Sequence, residues 1–77
     1  MAPSRLEISE HAASRLKQRS ITRQHVRDCL AVGDTIGFDI RGRFICLGQV
    51  AGKELIVIYI KIPLGVLVVT AYWKGDS

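Results

Sequence analysis

Two neighbouring runs late in the chain, LIVIYIKI (55–62) and VLVVTAYW (66–73), constrain its fold more than any other feature. A strand with one face in water alternates apolar and polar residues. Both of these runs are apolar at nearly every position, the pattern of strands covered on both faces. Pro63-Leu64-Gly65 between them is short enough for a tight hairpin, which makes the two strands antiparallel neighbours. The apolar stretch from Ile62 to Trp73 is too short and too β-branched to span a bilayer, so no membrane partner is expected. The chain has 77 residues, 48% of them hydrophobic. That content supports one compact domain and argues against disorder.

The same hairpin logic runs backwards along the sequence. Arg41-Gly42 and Ala51-Gly52-Lys53 are turn signals, and strands are expected at about Thr35–Ile40, Arg43–Gln49, Glu54–Ile62 and Val66–Trp73. Upstream the period changes. Ser9 is placed to cap a helix running to about Arg19, with Ala12, Ala13 and Leu16 facing inward. Thr22 is placed to cap a second helix whose core stripe is Val26, Cys29 and Leu30, and Gly33 suits the left-handed position that closes it. The expected fold is α+β, two N-terminal helices packed on a four-stranded antiparallel β-meander (ααββββ). It is a single domain over residues 1–77, with an N-terminal segment (1–8), a helical hairpin (9–33) and a β-sheet (35–73). Two short helices cover one face of such a sheet. The second apolar face therefore calls for a partner protein or a second copy of the chain.

Charge is concentrated in the helical part. Six Lys/Arg (Arg5, Arg15, Lys17, Arg19, Arg23 and Arg27) stand against Glu7, Glu10 and Asp28 up to position 28, and the whole chain carries a net charge of +4. An anionic partner is favoured, nucleic acid first among them. Cys29 and Cys46 form no CxxC pair and sit in apolar company, so buried free thiols in a reducing cytoplasm are expected. No apolar run follows the opening Met1–Arg5, which also fits a cytoplasmic protein.

The candidate site lies in SEHAASRLKQRSIT (9–22). On a helix, His11, Arg15 and Arg19 fall within a sector of about 80°, flanking the buried face and not opposing it. They form either a solvated basic face or a phosphate site. His25 stands in the second helix without such a stripe, and its replacement is expected to have a mild effect on any activity. There is no carboxylate pair at useful spacing, no Gly-rich phosphate loop, no nucleophile elbow and no metal cluster, so neither a cofactor nor a metal is expected.

The string HAASRLKQRSIT, followed by a β-rich half ending VLVVTAYWK, resembles a small bacterial family known as domain of unknown function 4258. Members show H-A-x-x-R-x-x-x-R-x-I-[ST] and end in a comparable strand. The likeness runs from about Ile8 to Lys74, with one departure: Ser20 stands where members commonly carry Gly. The layout is similar to RelE/ParE-type and BrnT-type toxins, small basic α+β proteins encoded with an antitoxin, some of which cut messenger RNA without metal. The resemblance implies a ribonuclease acting on RNA, either free or ribosome-associated, with an antitoxin protein or a homodimer covering the sheet face. Metal-free cleavage needs a proton-transfer group and donors for the phosphorane charge. His11, Arg15, Arg19 and Tyr72 are the catalytic candidates, and Arg15, Arg19, Arg23 and Arg43 the nucleic-acid-binding ones. A non-catalytic nucleic-acid-binding module or a protein-interaction module remains open beside that reading.

Overall fold

The computed structural model describes residues 5–75; of the expected domain, residues 1–4, 76 and 77 lie outside the described residues. The elements run β1 (Leu6–Ile8), α1 (Glu10–Gln18), α2 (Arg23–Val32), β2 (Asp34–Phe38), β3 (Phe44–Val50), β4 (Lys53–Ile62) and β5 (Gly65–Trp73). The expected α+β fold is present, and the four strands after the helices form an antiparallel meander. The sheet is nevertheless five-stranded and mixed, in the order β1-β5-β4-β3-β2. The N-terminal segment, to which the sequence assigns no strand, supplies β1, which pairs parallel to β5 with Leu6 opposite Val66 and Ile8 opposite Val68. Three residues are too few for a period to show in sequence. Their strand character comes from the exposed edge of β5.

Register sorts the side chains. Leu55, Val57, Val68, Ala71, Trp73 and Cys46 point to one face, where Ala12, Leu16, Ile21, Val26 and Cys29 of the helical part meet them in one buried cluster. α1 packs on β5, and α2 on β3 and β4. Burying each of the larger aliphatic side chains contributes about 1.5–3 kcal/mol. Ala13, expected to face inward, is exposed. At one residue past Ala12 it has rotated out of the buried stripe. The alternate residues Ile45, Leu47, Ile56, Ile58, Ile60 and Leu67 lie on the opposite face of the sheet, and all are half-buried. They shield one another along the pleat, and among the described residues no helix or loop covers them.

Both helix caps are as expected. The Ser9 hydroxyl accepts the Ala12 N–H, and the Thr22 hydroxyl accepts the His25 N–H. The end of α2 differs. Gly33 has φ −83° and ψ 176°, an extended conformation and not the left-handed one. It is required for another reason: a Cβ here would lie 2.5 Å from the Leu47 carbonyl oxygen and 2.6 Å from that of Cys29. The chain turns from α2 into β2 directly against β3, and a side chain would separate them. Between the helices the left-handed residue is Ser20, at φ 57°.

Cys29 and Cys46 are free and buried, packed against each other's backbone: the Cys46 Sγ lies 3.6 Å from the Cys29 carbonyl oxygen, and the Cys29 Sγ 3.4 Å from that of Leu55. A hydrogen bond with Cys46, together with burial, pushes the Cys29 thiol far above the ordinary thiol range, so it stays protonated. No described helix is long and apolar enough to cross a membrane.

Three substitutions test this account of the backbone. Gly33→Ala should lower the unfolding free energy by about 1–3 kcal/mol, read from the urea midpoint at constant m-value. Gly37→Ala, which meets nothing within 4 Å, should change little. Ser20→Gly should raise stability by about 1 kcal/mol by relieving the left-handed conformation.

Candidate nucleic-acid interface

The capped start of α1 brings His11 and Arg15 one turn apart on an exposed face. Neither side chain has a hydrogen bond or ion pair with any described residue. Lys17 is also exposed, but on the opposite flank of the buried stripe, about 160° round the helix from Arg15. Glu7, a candidate to neutralise this region, pairs with Arg5 at 3.0 Å instead.

Arg19 does not extend the stripe. The helix ends at Gln18, and the Arg19 guanidinium turns to β5, donating to the Ala71 carbonyl at 2.8 Å and approaching the Thr70 hydroxyl at 3.4 Å. Its own carbonyl accepts the Trp73 indole N–H at 3.0 Å. Arg23 donates to the Leu6 carbonyl, tying α2 to β1. Arg43 pairs with Asp39 across the β2–β3 turn. Tyr72 lies opposite Ile56, while its neighbour Trp73 lies opposite Leu55 on the helix-covered face. Tyr72 therefore stands on the far side of the sheet from His11. Of the six residues singled out by sequence, the fold brings together His11 and Arg15. It commits Arg19, Arg23 and Arg43 to intramolecular partners and sets Tyr72 apart.

His25 has a structural role. Its Nδ1 accepts the Thr22 N–H at 3.0 Å, completing a capping box, and its ring meets Trp73 edge-on at 5.4 Å. That hydrogen bond assigns the ring proton to Nε2. Trp73 is buried under these contacts and offers no open face for stacking.

A second surface feature lies at the β2–β3 hairpin. Phe38, Phe44 and Tyr59 occupy one cross-strand row. Phe44 stacks on Tyr59 with ring centroids 5.3 Å apart, and Phe38 tilts against Phe44 at 5.0 Å. The innermost ring is buried, with its hydroxyl 2.9 Å from the Thr35 Oγ1, whereas Phe38 is 64% exposed. The Lys61 ammonium sits 5.1 Å from the Phe44 ring centroid, and exposed Arg41 occupies the turn. Sequence reasoning passed over these aromatics. A usable signal was there, because positions 38 and 44 lie symmetrically about Arg41, the centre of the turn.

Among the described residues, no group of three or more His, Cys, Asp or Glu is placed to hold a metal ion. The family described as Domain of unknown function (DUF4258) matches residues 8–73, nearly the whole chain, and the protein belongs to it. No curated protein and no solved structure matches the chain.

Arg19→Ala should destabilise the fold by about 1–3 kcal/mol, since it strips a charged donor from the buried end of β5. His25→Ala should cost about 1 kcal/mol through the lost cap. His11→Ala and Arg15→Ala should stay within about 0.5 kcal/mol of the parent in the same denaturation series.

The hairpin supplies a pH test. Burial pushes the Asp39 carboxyl up, but the Arg43 N–H, the Arg43 guanidinium and the Arg41 N–H together outweigh it and hold it below its ordinary value. A folded-state value below the unfolded one contributes stability that is fully present above the ordinary carboxyl range of about 4 and is lost as pH falls through the depressed value. Asp39→Asn should lower stability at neutral pH and flatten the decline below about pH 4, measured by urea denaturation across that range.

Proposed function

We propose that the protein binds RNA through the exposed face of α1 that carries His11 and Arg15, with Arg15 meeting a backbone phosphate and His11 beside it. The observation that carries this reading is the free state of His11 and Arg15. The cations on other elements that the sequence also suggested, Arg23 and Arg43, are held by intramolecular bonds, whereas these two face solvent side by side. A net charge of +4 concentrated in the helical part supports the same choice of partner.

Cleavage is the finer form of this reading, in which the protein is the metal-independent ribonuclease of a toxin–antitoxin pair in the cytoplasm. His11 removes the proton of a ribose 2′-hydroxyl as that oxygen attacks the adjacent phosphorus. Arg15 stabilises the phosphorane. The bond to the 5′ oxygen breaks, that oxygen is protonated by water, and a 2′,3′-cyclic phosphate remains. The half-buried apolar face of the sheet supports a protein partner, an antitoxin segment or a second copy. Covering about 600 Å² of it at about 25 cal/mol per Å² amounts to roughly 15 kcal/mol before the costs of association.

RNA affinity followed by anisotropy should fall steeply with salt. Arg15→Ala should reduce the slope by about one, and Lys53→Ala should leave it unchanged. Wild-type protein that fails to bind RNA at low salt overturns the reading. If the protein cleaves, the reaction should survive a chelator, and His11→Ala should lower the rate by about 10²–10⁴ with binding retained. RNA left intact by the wild type, both alone and on translating ribosomes, removes the cleavage step and leaves binding.

A further inference from the structure

We infer that the Phe38–Phe44 pair at the β2–β3 hairpin is a base-stacking subsite for single-stranded RNA. This rests on the reading of α1 as an RNA-binding face and adds the form of RNA that the protein selects.

The argument starts from the gradient of burial along the aromatic row. Tyr59 is closed into the core and hydrogen-bonded, Phe44 packs at the margin of the core, and Phe38 is 64% exposed. The inner rings fix the outer one from behind, so its remaining surface is presented and not buried. The Lys61 ammonium lies over Phe44, and Arg41 stands in the turn, its guanidinium without a carboxylate partner among the described residues. Arg43 is neutralised by Asp39, leaving Arg41 and Lys61 as the charges available to an anion at this end of the sheet. An open aromatic surface edged by cations matches one ligand chemistry well, a flat π-system joined to a phosphate. Stacking of this kind requires an unpaired base, since the faces of a paired base are occupied by its neighbours.

The fold aligns this surface with α1. The Ser9 N–H donates to the Val68 carbonyl, so α1 starts at the level of Val68. Val68 lies opposite Tyr59, Tyr59 opposite Phe44 and Phe44 opposite Phe38. The first turn of α1, which carries His11, and the aromatic row thus share one band across the helix-covered side of the sheet. From β5 to β2 is three strand spacings, about 14 Å. A few nucleotides of unstacked strand cover that distance, with a phosphate at Arg15 beside His11 and a base on Phe38.

The test compares a short unstructured RNA with the same strand annealed to its complement. Wild-type protein should prefer the single strand. Phe38→Ala and Phe38→Leu should both weaken single-strand binding by roughly 5- to 100-fold, leave duplex binding and the salt slope unchanged, and be matched to wild type by Phe38→Tyr. The leucine variant keeps an apolar side chain and removes only the aromatic face. Neutral adenosine, added to the wild-type protein, should shift the ring proton resonances of Phe38 and Phe44. Wild-type single-strand affinity in both Phe38→Ala and Phe38→Leu overturns the subsite while leaving the α1 reading intact. Weakened binding in the Phe38 variants, with Arg15→Ala unaffected, supports the subsite and removes the α1 reading instead. Loss of self-association in Phe38→Ala with RNA affinity unchanged assigns the surface to a protein contact and overturns the proposal.

Discussion

The end of β5 is held to the helical layer by a two-way exchange. The Arg19 guanidinium donates to the Ala71 carbonyl, and the Arg19 carbonyl receives the Trp73 indole. One residue thereby fastens the end of α1 to the strand beneath it through both its side chain and its backbone. Trp73 then serves as the floor for His25, which caps α2, so the start of the second helix is set by the same contact. Because these groups are at least partly buried, each would be costly to leave unpaired. The consequence for the surface is selective. The guanidinium that sequence spacing placed in line with His11 and Arg15 is withdrawn into the structure, and the two residues upstream of it are left outside.

How much was legible beforehand depended on the range of the interaction. Helix starts were readable because a cap is local: Ser9 and Thr22 act on N–H groups three residues away. The four later strands were readable because the short turns between them force neighbours to pair. β1 was hidden, since three residues carry no period and its partner lies at Val66–Val68. Gly33 was recognised as necessary for the wrong reason. The sequence suggests a left-handed cap, whereas the constraint is its approach to the Leu47 and Cys29 carbonyls, which belongs to packing. Ser20 shows the converse, a left-handed residue at the position where the family commonly carries Gly.

The candidate site was legible to the extent that it is helical. A spacing of four puts His11 and Arg15 together in any α-helix, and it does so here. Its failure at Arg19 follows from the helix ending one residue earlier, where an exposed stripe becomes a joint. Tyr72 and Trp73 are adjacent in sequence yet opposite in space, since strand side chains alternate. No composition argument separates them. The aromatic row at the hairpin has the reverse history: its members are distant in sequence and become one surface through register alone.

The parallel pairing of β1 with β5 also orders events in time. Leu6 and Val66 are sixty positions apart and stand opposite each other in the sheet, so the first strand of the described chain pairs with the last. During synthesis the helices and the β2–β4 meander can assemble from nearby residues, but the β1 edge has no template until Gly65–Val68 have emerged. Arg23, which holds the Leu6 carbonyl, is in the same position, because its acceptor is placed only when β1 docks. Closure of a loop of this length is slow compared with a hairpin. The nascent chain therefore passes through a stage in which its helices exist while the edge that joins them to the sheet is still open.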